Sequence, residues 1–127
     1  MNGVVTATLE AVVELTVRGV GDVLVLAVID TGFSGALLLP LEMIQRLALP
    51  MVSQTVAELG DGSEVVLDLY SGEVEWQGVW QVVRICAAAN GALLGMELMK
   101  GSSLTVDIHV GGRVEILPLS KGRGLSG

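Results

Sequence analysis

Short Val- and Leu-rich stretches, parted by glycine-bearing turns, run along almost the whole chain. Gly19-Val20-Gly21-Asp22, Asp61-Gly62, Gln77-Gly78, Asn90-Gly91 and Gly111-Gly112 each fall between two such stretches, the rhythm of an all-β sandwich or barrel. Strands are expected over 3–9, 11–18, 23–30, 54–59, 64–70, 72–76, 79–87, 103–109 and 113–117. Within 64–70, Val65, Leu67 and Leu69 share one face and Glu64 and Asp68 the other, as on a half-buried strand. Val66 and Tyr70 dilute that polar face, so it is expected to be partly covered. Glu73 and Glu75 alternate with Val74 and Trp76, which reads as a solvated face. Trp76 and Trp80 flank Gln77-Gly78 and are expected to pair across that hairpin.

Two short helices interrupt the strands. Pro40 stands where a helix can start, and Leu41, Ile44, Leu47 and Ala48 follow at helical spacing up to Pro50. Met96-Glu97-Leu98-Met99-Lys100 forms the second, stopped by Gly101 and Ser102. No boundary or repeat divides the chain, so one domain is expected over 1–118, with a Ser-, Gly- and Lys/Arg-bearing disordered tail over 119–127.

Composition narrows the function classes. The 127 residues suffice for a single core. Hydrophobic residues make up 51% of them and aromatics only 3%, so that core is aliphatic, which suits sheets. The longest apolar runs, 23–29 and 36–41, fall short of a bilayer span, which takes about 20 residues. Met1-Asn2-Gly3 lacks the basic start of a signal peptide. These features point to a soluble, cytoplasmic protein with no membrane partner, whose excess apolar surface is covered by a partner subunit. Seven Lys and Arg against fourteen Asp and Glu give a formal net charge of −7, which argues against a nucleic-acid partner. Cys86 and His109 are too few for a disulfide or a zinc site. Cys86 reads as a small buried apolar residue and His109 as a turn neighbour.

The candidate chemistry sits at Asp30-Thr31-Gly32, at the end of the apolar run Val23 to Ile29. A carboxylate is costly at the end of a buried strand unless something uses its charge. The bland alternative is an Asx turn capping the strand. Phe33-Ser34-Gly35 and the apolar run Ala36 to Leu39 follow. Downstream come a hairpin with Gly60-Asp61-Gly62 at its tip and an apolar strand, Ala92-Leu93-Leu94, running into Gly95 and a helix. Asp61 itself reads as a turn residue, because Asp-Gly is a tight-turn dipeptide.

Together these three segments resemble the catalytic loop, flap and apolar-apolar-Gly segment of the retropepsin-like (clan AA) aspartic proteases. The likeness spans about residues 3 to 117. It is nearest to the small single-domain bacterial and archaeal members and to the cellular branch that includes the DNA-damage-inducible retropepsins. As in that branch, a further hairpin follows the helix: Leu104 to Ile108, Gly111-Gly112, then Val114 to Ile116. The dimer contact is therefore expected to differ from the viral terminal sheet.

The resemblance implies an all-β closed barrel and a homodimeric aspartic endopeptidase acting on protein or peptide substrates without metal or cofactor. Two carboxylates a few ångströms apart cannot both ionise, so one activates water while the other protonates the carbonyl oxygen. Only one such tripeptide is present, so Asp30 must meet Asp30 of a second copy. By the family pattern Thr31 pins the two loops together and Gly32 leaves room for substrate. Residues 54–70 would be the flap, with Phe33, Ser34, Gly60, Asp61 and Gly62 binding substrate. Leu37, Leu59, Val65, Val83 and Ile85 are expected to line its pockets. Phe33 departs from the Ala usual in viral members, and either packs beneath the loop or narrows the site. Ser34 either stabilises the turn or donates to the outer oxygen of Asp30. The rival function is a catalytically weak or inactive peptide-binding or assembly module on the same fold; a plain barrel subunit within a larger complex is more remote.

Overall fold

The computed structural model describes residues 1–120; the greater part of the tail expected over 119–127 lies outside the described residues. Ten strands and two short helices follow one another along the chain. They are β1 (Asn2–Val5), β2 (Ala11–Gly19), β3 (Gly21–Ile29), β4 (Leu37–Pro40), α1 (Leu41–Arg46), β5 (Met51–Glu58), β6 (Glu64–Trp76), β7 (Val79–Ala88), β8 (Ala92–Leu94), α2 (Met96–Met99), β9 (Ser102–Val106) and β10 (Arg113–Pro118). The sheet order is β5-β6-β7-β4-β8-β3-β2-β1-β10-β9, and a further β6–β2 pairing closes the six strands from β6 to β2 into a barrel. The all-β barrel expected from the sequence is therefore what the chain forms. Among the described residues no helix is long and apolar enough to cross a membrane.

Closure depends on the length of β6. Its first half pairs with β5 to make a hairpin standing off the barrel, and Glu73 to Glu75 turn to pair with β2. Gly72 sits at that bend. A Cβ there would lie 2.7 Å from the Ile85 Cδ1, so a side chain at this position would have to displace the end of Ile85 in the core. The break expected between 70 and 72 is thus a bend within one continuous strand. Two other expected strands are shorter. The first stops at Val5, because the Thr6 Oγ1 accepts the Glu10 N–H (3.2 Å) and Leu9 takes a left-handed φ of 62°. The strand expected to reach His109 stops at Val106, where the Asp107 carbonyl accepts the His109 N–H at 2.9 Å.

Side chains alternate in and out along the barrel strands. Val25 and Ala27 are buried on β3, whereas Leu24 and Leu26, alternating with them, face outward and are exposed. Val83 and Ile85 of β7, Val74 and Trp76 of β6, and Leu37 and Leu39 of β4 meet inside the barrel. Ile44 and Leu47, at and just beyond α1, and Leu98 and Met99 of α2 close its ends, and among the described residues no polar side chain is buried. The two tryptophans do not pair. Trp80 lies opposite Glu75 in the register, on the outer face, with the Arg18 guanidinium 3.6 Å above its ring, while Trp76 is in the core.

This division sets an expectation for stability. Ile85→Ala, at a fully buried position, should lower the unfolding free energy by about 2–5 kcal/mol. Val20→Ala, in the exposed β2–β3 turn, should stay within about 0.5 kcal/mol. Urea unfolding of the two variants measures both, and equal midpoints would place the core elsewhere.

Candidate active site

β8 lies between β3 and β4, parallel to the first and antiparallel to the second. The chain leaving β3 must therefore arch over the end of β8 to reach β4. Residues 30–36 form that arch, and β8 runs out beneath it through Gly95 into α2. Four backbone hydrogen bonds fasten arch to strand end. The Asp30 N–H donates to the Leu94 carbonyl (2.9 Å) and the Gly95 N–H to the Ala36 carbonyl (2.9 Å). The first N–H groups of α2 are satisfied by the arch as well, Met96 donating to Phe33 (2.8 Å) and Glu97 to Gly35 (3.1 Å). These donors have no partner within the helix, so loop and helix complete each other.

There is no room for a side chain at the crossing. A Cβ on Gly95 would stand 2.1 Å from the Gly35 carbonyl oxygen and 2.5 Å from the Phe33 Cδ2. A Cβ on Gly35 would meet the same ring at 2.6 Å. The Phe33 ring is thus packed beneath the loop, and it also lines the neighbouring cavity.

Asp30 is half-buried at the start of the arch. Its Oδ1 accepts the Gly32 N–H at 2.9 Å, the bond an Asx turn makes, and the Phe33 N–H closes the turn on the Asp30 carbonyl (3.1 Å). Thr31 and Ser34 are exposed, and among the described residues neither makes a side-chain hydrogen bond. Ser34 accordingly takes neither role expected for it within one chain. Every other aspartate is engaged. Asp22 faces Arg18 at 3.6 Å, Asp61 accepts from Ser63, Asp68 accepts from Gln54 at 2.9 Å, and Asp107 faces Arg113 at 3.3 Å.

A cleft of about 430 Å³ opens between the arch and the β5–β6 hairpin. Phe33 to Leu37 form one wall and Thr55, Ala57, Leu67 and Leu69 the other, with Arg84, Cys86 and Glu97 completing it. Asp30 stands at the head of the arch that forms the first wall, and it is not itself among the lining residues. Of the expected pocket residues only Leu37 lines this cleft. Val83 and Ile85 point into the barrel, and Leu59 and Val65 lie exposed towards the hairpin tip. The signal that identifies Arg84 and Cys86 instead is the alternation of β7, which sends them to the opposite face from Val83 and Ile85. Cys86 is half-buried rather than buried, and desolvation pushes its thiol above the ordinary value.

The hairpin tip is a hydrogen-bonded turn. Leu59 and Ser63 are joined by an N–H···O bond of 2.7 Å, and Gly62 adopts a φ of 86°, where glycine is unstrained. Gly60, Asp61 and Gly62 are all exposed. The Ser63 hydroxyl (2.6 Å) and N–H (2.9 Å) both donate to Asp61 Oδ1, and the hydroxyl is the main cause holding that carboxyl below its ordinary value of 3.8.

No protein-family model matches the sequence, and no curated protein does. Among solved structures, the chain is similar to the crystal structure of a retropepsin-like aspartic protease from Rickettsia conorii. The TM-score is 0.61 at 13% identity, over 92% of this chain and 91% of that one. The fold is retropepsin-like. Within that fold the arch of residues 30–36 and the β5–β6 hairpin are the two elements that bound the cleft.

Two outcomes check this geometry. Gly95→Ala should force the arch off the end of β8 and destabilise the protein by about 1–3 kcal/mol through steric overlap, with the amide resonances of 30–36 shifting most. A folded variant with unmoved arch resonances would show that the crossing is slack. At the hairpin tip, Asp61 should titrate below 3.8 by carboxyl NMR, and Ser63→Ala should bring it back towards 3.8. Because the folded-state value is depressed, the stabilisation is present above the unfolded value and is lost as pH falls through the lowered one.

Proposed function

We propose that the protein is a homodimeric aspartic endopeptidase in which water is activated between Asp30 and the Asp30 of a second copy. The reading rests on one observation above the others. Among the described residues Asp30 is the only aspartate not engaged by another side chain, and it is held in a backbone-fastened arch at the edge of a roofed cleft. The retropepsin-like fold agrees with that assignment.

The chemistry follows from pairing two such groups. On a two-fold axis a residue meets its own copy, so one aspartate per chain suffices. Two carboxyls that close hold a single proton between them. The charged one removes a proton from water, the protonated one donates to the scissile carbonyl, and the roles reverse when the amine leaves. The Gly32 N–H fixes the orientation of Asp30, and Thr31, exposed beside it, is free to contact the second arch. Substrate would lie extended in the cleft, hydrogen-bonding as an added strand. The hairpin over 54–70 would act as the flap, closing over it.

Digestion of a synthetic peptide pool from acid to neutral pH tests the proposal. Wild type should cut, and Asp30→Asn should lose at least about a hundredfold in rate. Specific activity should also fall on dilution through the dimer constant. Undiminished cutting by Asp30→Asn would overturn the mechanism. Peptide capture by both proteins with no cutting would identify a binding module instead.

A further inference from the structure

Arg84 stands out among the cations of the described residues. Arg18 is within ion-pair distance of Asp22 and Glu73 and is stacked over Trp80, and Arg113 is within that distance of Asp107 and Glu115. Arg84, like Arg46 and Lys100, makes no ion pair among the described residues, and of these three it alone lines the cleft. Its place on β7 explains why. Val83 and Ile85 occupy the barrel interior, so Arg84 is directed outward, into the cleft beneath the β5–β6 hairpin. There it lies among apolar walls made by Phe33, Leu67 and Leu69.

We infer that this cleft accepts an acidic side chain of the peptide substrate, bound by the Arg84 guanidinium. The inference rests on the peptidase reading and names the substrate class for the same site. An extended peptide sends alternate side chains to one side, so a peptide lying between arch and hairpin places some of them in the cavity. A guanidinium presents a planar fork that matches a carboxylate, and a peptide laid over the cleft would cover the exposed Arg84 from water and strengthen the attraction. The other charge on the cleft, Glu97, belongs to α2, whose N–H is tied to Gly35. It is not within ion-pair distance of Arg84, so it opposes an acidic residue without neutralising the site.

The test uses full-length protein and synthetic peptides matched except for Glu, Gln or Lys at one position at a time. Wild type should prefer Glu over Gln at one position by about tenfold in kcat/KM. That ratio should fall to about one in Arg84→Ala, shift to a Lys preference in Arg84→Glu, and rise in Glu97→Gln. The same peptides are then bound to Asp30→Asn and followed by fluorescence anisotropy, so that recognition is read apart from turnover. Equal cleavage of Glu and Gln peptides at every position, or a Lys preference abolished by Glu97→Gln, overturns the inference and leaves the peptidase reading standing. Absence of cleavage counts against the peptidase reading alone. In that case a Glu preference in binding that disappears in Arg84→Ala upholds the subsite, and equal binding of the three peptides overturns it.

Discussion

Where Gly95 passes under residues 30–36, two backbone segments meet with no space for a side chain between them, and the candidate site depends on that contact. The arch has to cross the end of β8 because the strands it joins lie on either side of it. Four backbone hydrogen bonds hold the crossing, two of them supplied by the first N–H groups of α2. A helix of four residues has little stability of its own. Here its start is completed by the arch, while Leu98 and Met99 anchor it in the core. The orientation of Asp30 is therefore a property of the barrel rather than of a flexible loop.

Alternation along the strands then decides what lines the cleft beside the arch. β7 presents Val83 and Ile85 to the core and Arg84 and Cys86 to the cleft, so one strand serves both the packing and the cleft wall. The same rule leaves Leu24 and Leu26 exposed on β3 next to buried Val25 and Ala27. An unbroken apolar run thus supplies both the interior of the barrel and an outer apolar face. Gly72 plays the complementary part on β6. By letting that strand bend against Ile85 it closes the barrel below and releases the hairpin above.

Much of the fold was legible because turn chemistry and strand alternation are local. Gln77-Gly78, Asp61-Gly62 and Gly111-Gly112 all mark turns, and Gly78, Gly62 and Gly111 take a positive φ there. The misreadings have two causes. A run of β-forming residues does not say where pairing ends, so Thr6 capping Glu10 and Asp107 bonding His109 shortened two strands. Nor does proximity to a turn say which face a residue takes, and so Trp76 and Trp80 were expected to pair although they lie on opposite faces.

Unaided, the sequence determined the all-β class, the positions of its turns, and the singular Asp30-Thr31-Gly32 with its downstream Leu-Leu-Gly, since each depends on residues near one another in the chain. Tertiary structure alone decided that Gly95 underlies the arch and that Arg84 and Glu97 share a cleft with Phe33. Those relations arise from strands distant in sequence lying side by side, and local propensity carries no record of which distant strand that will be.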